Sequence, residues 1–296
     1  MSTYECKRGN GHLHILAIAI TCNLGILLLL RFIDVYEIVS LIKVFLVLFN
    51  IYMFYNAIFI LTMKYCIDKN EIMISGLFGL RKICIPLEEI TSYFISTEPI
   101  SSVKLYGFAS KSFAMGRFVV NKIGTTRMFS ACNNLIYLKT EGINYAISPK
   151  NLEVFQNMLE EHNVKNEMWE YDYNKNEKLH SKRKLIILII LISVIIFTFT
   201  VTPLILLKMN LLPEEMPLTL NAKLVPIVMG SSKQFVFKQL TYGIINMGIL
   251  LCMFFAAYSH IKYDEKTSYM YIYISFFISV TFFFMQFRIL LQFIGV

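Results

Sequence analysis

Long apolar runs are the feature that most constrains how this sequence can fold. A helical segment of roughly twenty apolar residues matches the hydrocarbon thickness of a bilayer. Five such runs occur, over about 15–30, 38–63, 185–207, 240–260 and 268–287. The composition agrees, because 56% of the 296 residues are hydrophobic, only 16% are charged, and the mean hydropathy is +0.58. The sequence therefore predicts a multi-pass α-helical membrane protein.

Between the second and third runs, residues 64–162 have the pattern of one water-soluble, β-rich module. Short segments that favour strands alternate with turn sequences such as Asp68-Lys69-Asn70. The predicted strands cover 65–67, 71–75, 80–85, 92–96, 113–120, 135–140 and 144–147. Successive short strands joined by turns favour a small β-barrel or sandwich.

A helix is predicted to close this module. Ser148 supplies an N-cap hydroxyl and Pro149 suits the first helical position. The apolar residues that follow at helical spacing are Leu152, Phe155, Met158 and Leu159. They form one face, which we expect to pack on the strands.

The chain is thus predicted to have four parts. Residues 1–63 form two transmembrane helices, 64–162 the soluble module, 163–184 a polar and basic linker, and 185–296 three transmembrane helices with an extracytoplasmic loop at 208–239. Trp169 in the linker is expected either at the membrane interface or in solvent.

The basic residues are unevenly distributed around the predicted spans. With the N-terminus inside, the inner flanks carry ten: Lys7, Arg8, Lys64, Lys69, Lys178, Lys182, Arg183, Lys184, Lys262 and Lys266. The outer segments and the last boundary carry six: Arg31, Lys208, Lys223, Lys233, Lys238 and Arg288. Lysine and arginine concentrate on the cytoplasmic side, so the N-terminus and the module are predicted to be cytoplasmic. The net charge of +8 is expected at lipid headgroups rather than on nucleic acid.

Several short sequence blocks follow one another through the module. They are Gly76-Leu77-Phe78-Gly79, Ile85-Pro86-Leu87-Glu88-Glu89-Ile90, Gly107-Phe108, Gly116-Arg117-Phe118, Gly124-Thr125-Thr126-Arg127 and Tyr145-Ala146-Ile147-Ser148-Pro149. These blocks, about a third of the chain, resemble the bacterial pleckstrin-homology (PH) domains of membrane proteins. The resemblance implies an inserted soluble β-barrel, strongly bent and capped by a C-terminal helix. It implies an oligomerisation or protein-binding module and does not imply phosphoinositide binding.

Basic residues are concentrated in the middle of the module. No acidic residue lies between Glu98 and Glu141, whereas five basic residues are candidate partner-binding or lipid-binding positions: Lys104, Lys111, Arg117, Lys122 and Arg127. On a shared face they would attract anionic lipid or an acidic partner by about 1 kcal/mol per charge. Alternatively, strand alternation simply directs these charges to solvent.

The predicted external loop contains a second recognisable pattern. It consists of Leu212-Pro213-Glu214-Glu215-Met216-Pro217 and, later, Gly230-Ser231-Ser232-Lys233. Over about 185–260 the chain resembles the uncharacterised loop-and-helices domain of immunity proteins against the sporulation-delaying toxin. The candidate motif residues are Pro213, Pro217, Gly230 and Lys233. That family has a histidine where Thr219 stands here, and the two prolines could instead only stiffen a loop that returns to the bilayer.

The sequence favours no reaction chemistry. The histidines are dispersed, Glu88-Glu89 and Glu214-Glu215 are isolated pairs, the six cysteines show no metal or redox spacing, and no glycine-rich phosphate loop occurs. We therefore predict no catalytic residue, no metal and no cofactor, and a non-enzymatic protein.

Two classes of function are compatible with these features. The resemblances favour immunity or resistance to a membrane-active peptide, or regulation of a partner membrane protein. The expected partners are membrane lipids, another copy of the chain, another membrane protein or an extracellular peptide, with no nucleic acid. The alternative is a small-solute transporter or channel component, which the scarcity of charge in the spans and the lack of an inverted repeat disfavour.

Overall fold

A computed structural model describes most of the chain. The described residues are 2–5, 9–68, 70–97, 101–110, 113–130, 134–170, 183–261 and 263–294. Contacts divide the chain into two compact units. The module unit comprises residues 1–22 and 49–175, and the helical unit comprises residues 23–48 and 176–296.

Helices account for most of the sequence outside the module. They are α1 (Gly11–Leu29), α2 (Tyr36–Thr62), α3 (Leu152–Glu161), α4 (Arg183–Lys208), α5 (Ser232–His260) and α6 (Glu265–Ile294). Among the described residues, five of them, all except α3, are long and apolar enough to cross a membrane. They coincide with the five predicted apolar runs, which confirms the helical part of the predicted fold class. The helix α5 starts at Ser232, earlier than its apolar run.

The strands lie mainly between α2 and α3. They are β1 (Ser2–Glu5), β2 (Lys64–Ile67), β3 (Glu71–Gly76), β4 (Arg81–Pro86), β5 (Ser92–Ser96), β6 (Ser102–Ser110), β7 (Phe113–Val120), β8 (Gly124–Ser130), β9 (Leu135–Lys139), β10 (Asn144–Ile147), β11 (Lys165–Asn166), β12 (Glu215–Leu220) and β13 (Pro226–Ser231). The sequence anticipates β5, β7 and β10 to the residue. It misses β6, β8 and the two short strands β1 and β11.

The module strands form two sheets. One sheet has the order β1-β2-β3-β4, and the other has the order β11-β5-β9-β10-β8-β7-β6. The predicted β-barrel is therefore not closed in the part of the chain that is described, where two sheets form the module. Pro86 ends β4, and the short 3₁₀ turn Leu87–Glu89 then carries the chain into the second sheet, where β5 pairs with β9. The sheets meet through apolar side chains such as Ile74 and Phe129.

The helix α3 caps the module but begins later than predicted. Its first residue is Leu152, preceded by Asn151, because the chain at Ser148 is still engaged with the strands. Ser148 is fully buried, and its backbone N–H donates to Tyr65 Oη at 3.2 Å. The predicted apolar face is confirmed, since Phe155 and Leu159 are fully buried in the module core.

Trp169 belongs to the module and lies neither at a membrane interface nor in solvent. It is 5% exposed, and its ring meets the Phe94 ring edge-on at 5.2 Å between centroids. Its Nε1–H donates to the Ile123 carbonyl at 3.2 Å. Because β11 also pairs with β5, the fold continues into the segment that the sequence predicts as linker. The rest of that linker, 171–182, lies outside the described residues.

The helical unit contains structure where the sequence predicts a loop. Within 208–239, β12 and β13 form an antiparallel hairpin, and α5 has already begun. Gln234 N–H donates to Ser231 Oγ at 3.4 Å while Gln234 Oε1 accepts from Ser231 N–H at 2.9 Å. This capping box fixes the start of α5 directly after β13.

Candidate functional site

A row of two tyrosines and two arginines crosses the large sheet. Tyr106 on β6 is opposite Arg117 on β7, which is opposite Arg127 on β8, which is aligned with Tyr145 on β10. Residues directly opposite each other on neighbouring strands project from the same face, with Cβ atoms about 5 Å apart. Two guanidinium groups are therefore held side by side, although like charges in such positions repel each other.

A glycine pair sets the register of this row. Gly107 and Gly116 face each other with φ of 111° and 135°, conformations that residues with a Cβ rarely adopt. A Cβ on either glycine would overlap the backbone of the opposing strand. The pairing of β6 with β7 shifts between Lys104 and Tyr106, so that Tyr106 comes to lie opposite Arg117.

The row lies against the module core, where Arg117 is buried and Tyr106, Arg127 and Tyr145 are half-buried. Met115 and Phe129 are two residues away on the same strand faces, and both are buried in that core. Arg117 is itself 4% exposed. The Arg127 guanidinium carbon lies 4.9 Å from the Phe129 ring centroid, so a cation rests on an aromatic face.

A third arginine approaches from the small sheet. The Arg81 guanidinium carbon on β4 lies 5.3 Å from the Tyr55 ring centroid and 5.1 Å from that of Phe59. Arg81 Nη1 also donates to Tyr55 Oη. Tyr55 and Phe59 belong to the last two turns of α2, so this contact fixes Arg81 beside the end of a candidate span.

The environment of Arg81 and of Arg117 disfavours the charge of these two guanidinium groups. Burial lowers the pKa of Arg81, and the charge of Arg127 lowers it further. Burial also lowers the pKa of Arg117, an effect that Tyr106 opposes and Arg127 reinforces. Arginine stays protonated in proteins, so the positive potential here is compensated best by an anion. The planar guanidinium fork matches the oxygens of phosphate or carboxylate groups. We call Arg81, Arg117 and Arg127 the arginine cluster.

The structure separates the five basic residues that the sequence groups together. It brings Arg117 and Arg127 into the cluster. Lys122 is exposed in the turn after β7, where its Nζ lies 3.4 Å from Glu170 Oε1. Lys104 is exposed and lies opposite Phe118, whose side chain belongs to the small apolar cluster of Phe94 and Trp169. Lys111 lies outside the described residues.

Two functional candidates were missed by sequence reasoning. Arg81 follows the Gly76–Gly79 block, but nothing in its spacing indicates that it meets Arg127, which is 46 positions further along the chain. The other candidate is an ion pair in the helical unit. Lys238 Nζ lies 2.8 Å from Glu37 Oε1 and also donates to the Leu218 carbonyl, with side chains 25% and 8% exposed for Lys238 and Glu37. The pair joins α2, α5 and β12.

The predicted loop-motif residues surround the start of α5. Ser232 Oγ donates to the carbonyls of Pro213 and Glu214, which holds the beginning of the hairpin against the helix. Pro217 is buried in β12 opposite Met229, and Lys233 is exposed in the first turn of α5. At Gly230 a Cβ would overlap the Leu218 side chain and Gln234. The motif thus has a structural explanation, and its predicted role in binding remains a prediction.

The part of the chain that the structure describes contains no candidate metal site. No group of three or more His, Cys, Asp or Glu side chains there is arranged to hold an ion.

Comparison with known proteins defines the class of the chain. Residues 63–163 match the family model of the bacterial PH domain, which confirms the resemblance seen in the module. The chain thus combines candidate membrane-spanning helices with a bacterial PH domain. An uncharacterized protein of Clostridium acetobutylicum is 36% identical over 260 residues, covering 88% of this chain and 88% of the relative. The chain belongs to the family that includes this clostridial protein. No solved structure matches it.

Proposed function

We propose that the chain is a non-catalytic integral membrane protein whose PH domain binds an anionic group of the membrane at the arginine cluster. The observation that carries this proposal is the convergence of Arg81, Arg117 and Arg127 beside the last turns of α2. Such a module would couple the state of the membrane surface to whatever partner the protein regulates.

The depth of the arginine cluster relative to the membrane favours a lipid headgroup as the source of the anion. The helix α2 has 27 residues and is about 40 Å long, whereas the hydrocarbon core is about 30 Å thick. The excess of about 10 Å, placed at the end that leads into the module, would bring the last turns of α2 into the headgroup region. Tyr55 lies seven residues before Thr62, about 10 Å along the helix, and it holds Arg81 at that depth. The headgroup of an anionic phospholipid, whose phosphate charge is not balanced by a choline, is the anion that occurs there.

The membrane we propose is the bacterial cell membrane, with the N-terminus and the PH domain in the cytoplasm. The basic flanks support this orientation through the positive-inside rule. Anionic lipids give the cytoplasmic leaflet a negative surface potential, which suits an arginine cluster at its surface.

The proposal is tested with the full-length protein purified in a mild detergent. Binding of short-chain phosphatidylglycerol and phosphatidylcholine is measured by native mass spectrometry for wild type, Arg81→Gln and Arg127→Gln. Lys122→Gln is the matched control, because it removes an exposed charge of the same module outside the cluster. Loss of one charge-assisted hydrogen bond predicts about tenfold weaker phosphatidylglycerol binding for the two arginine variants.

Two results would contradict the proposal. Equal binding of both lipids by wild type would show that the cluster does not recognise anionic headgroups. Equal losses in Lys122→Gln and Arg127→Gln would show only general attraction between positive charge and the lipid. Displacement of bound lipid by an acidic peptide at low micromolar concentration would instead assign the cluster to a protein partner.

A second role, immunity to a membrane-active peptide, is supported by one observation in the helical unit. Strand β13 exposes an apolar row, Ile227, Val228 and Met229, within the segment that resembles the immunity family. An extended peptide could add to such a strand through its backbone. The same strand could equally bind a partner membrane protein, which is the regulatory alternative to immunity.

The immunity role is tested by expressing the chain in a sensitive host and challenging it with a panel of membrane-active peptides. Protection that Val228→Ser abolishes and Lys223→Gln retains would support peptide capture at β13. Unchanged killing across the whole panel would remove the support for immunity and leave the PH-domain proposal untouched.

A further inference from the structure

The turn between β3 and β4 carries two large apolar side chains that the module does not bury. Phe78 is 86% exposed and Leu80 is 90% exposed. The strands on either side of the turn do bury large apolar side chains, because Ile74 on β3 and Ile85 on β4 are essentially inaccessible to solvent. Large apolar side chains grouped at one tip are costly in water and mark a surface that meets another phase or a partner.

The backbone of this turn has an unusual conformation. Leu77 and Phe78 have φ of 52° and 57°, a left-handed region that residues with large side chains seldom adopt, and Gly79 follows with φ of 93°. The conformation directs Phe78 away from the sheet. A local hydrogen bond, from Leu80 N–H to the Leu77 carbonyl at 3.1 Å, closes the turn.

Two contacts hold the turn beside the end of α2. Leu77 N–H donates to Thr62 Oγ1 at 2.7 Å, and Thr62 is the last residue of that helix. Gly76 lies against the Phe59 ring so closely that a Cβ would overlap it. The helix surface next to the turn is also apolar and uncovered, since Leu61 is 54% exposed.

We propose that the β3–β4 turn is a membrane-inserting wedge, with Phe78 and Leu80 in the leaflet at which α2 ends. The exposed apolar surface of α2 continues into the two side chains, so the same lipid phase covers both. Lys64 and Lys82 are exposed on either side of the tip, where their ammonium groups meet phosphates while the apolar side chains enter the acyl region. This inference rests on α2 crossing the membrane and does not require the arginine cluster.

The wedge is tested by placing tryptophan at the tip of the full-length chain. Phe78→Trp and Leu80→Trp are reconstituted into vesicles of phosphatidylcholine and phosphatidylglycerol with brominated acyl chains, which quench tryptophan only in the acyl region. Wild type supplies the baseline, because its single tryptophan, Trp169, is buried in the module. Leu80 has an ordinary φ of −66°, so Leu80→Trp tests the wedge even if position 78 tolerates no larger ring.

Two reference variants calibrate the depth of the tryptophan reporter in the bilayer. Phe54→Trp places the reporter on the exposed face of α2 and defines full quenching. Glu88→Trp places it in the exposed turn at the other end of β4, about 20 Å from the tip, and defines a reporter in water.

The wedge requires that Trp at 80, and Trp at 78 where that variant folds, be quenched at least half as strongly as Trp at 54, with a blue-shifted emission. Quenching by aqueous iodide with none by brominated lipid would show that the tip lies in water, and would overturn the wedge. Protection from both quenchers would show that protein covers the tip, and would overturn it equally.

Discussion

Tyr137 carries a buried hydroxyl that the described structure leaves without a hydrogen-bond partner. Its ring stacks on Phe94 with centroids 4.8 Å apart and an interplanar angle of 5°. Burial raises the pKa of Tyr137 from 10.0 to about 12. The aromatic ring contributes to the small core around Trp169, whereas the hydroxyl opposes folding, because a buried polar group without a partner costs about 1–3 kcal/mol.

Replacing this hydroxyl is therefore expected to stabilise the module. Tyr137→Phe keeps the stacked ring, so its free energy of unfolding at pH 7 should equal or exceed that of wild type by up to about 2 kcal/mol. Guanidinium unfolding of the full chain in micelles, followed by Trp169 fluorescence, measures it. A loss of more than about 1 kcal/mol would show that the hydroxyl has a partner in solution.

The same group predicts a pH dependence. The folded state keeps the Tyr137 proton up to about pH 12, while the unfolded chain releases it near pH 10, so stability falls as pH rises through that window. Tyr137→Phe should lose less stability between pH 10 and 12 than wild type. Part of the decline should remain, because burial and its hydrogen bond to Glu160 raise the pKa of Tyr93 to about 12 as well.

At the scale of elements, side chains form hydrogen bonds with backbone groups that lack a helical partner, where a helix is interrupted or begins. Pro203 inside α4 has no N–H, so the Phe199 carbonyl loses its helical partner. Gln286 of α6 donates to that carbonyl through Nε2 at 2.9 Å. The buried amide of α6 thus compensates for the proline of α4, which keeps an unsatisfied carbonyl out of the apolar interior.

The Glu37–Lys238 pair connects α2, α5 and the hairpin, and we expect it to be strongly coupled. Removing one partner leaves a buried charge, so Glu37→Gln or Lys238→Met should each destabilise the helical unit by about 3–5 kcal/mol. The double variant Glu37→Gln/Lys238→Met should recover much of that loss. Thermal unfolding in detergent provides the double-mutant cycle.

The control for this cycle is Lys233→Met, which removes an exposed lysine one and a half turns before Lys238 on the same helix. It should leave the melting temperature within about 1 °C of wild type, since isolated surface charges contribute little. Additive losses in the cycle would mean that the two charges act independently.

For the whole molecule, the orientation of the five candidate spans determines what each part can meet. If all five cross the membrane, the two ends of the chain lie on opposite sides, and the basic flanks predict a cytoplasmic start. Alkaline phosphatase fused after residue 170 should be inactive, and the same enzyme fused after residue 224 should be active. Expression of both fusions is verified by immunoblotting. The reverse pattern would place the PH domain outside the cell and contradict the proposed headgroup site.

The elements that could be predicted are those specified by neighbouring residues. The five apolar runs, the strands β5, β7 and β10, and the apolar face of α3 all follow from local periodicity. The failures involve residues that are distant in sequence. Ser148 has the local signature of a helix cap, yet its N–H bonds to Tyr65, 83 positions earlier. Trp169 has the local signature of an interfacial anchor, yet the Phe94 and Ile123 contacts bury it.

The residues of the candidate sites also divide into those that local sequence could predict and those that depend on distant contacts. Arg117 and Arg127 could be named from a stretch without acidic residues, but Lys104 and Lys122, which share that stretch, project elsewhere. Arg81 could not be named, because its place beside Arg127 arises only when the small sheet packs on the large one. Lys238 was assigned to a loop, since its partner Glu37 lies 201 positions away.

The sequence by itself determined the length and apolarity of the helices. The free energy of transferring a helix into a bilayer is a sum over the contiguous residues of that one segment, so no distant contact is needed to predict it. Tertiary structure alone decided which charges meet, because strand order, register and sheet packing bring together groups that no local pattern relates. The arginine cluster, the buried ion pair and the uncovered turn at Phe78 all belong to this second kind.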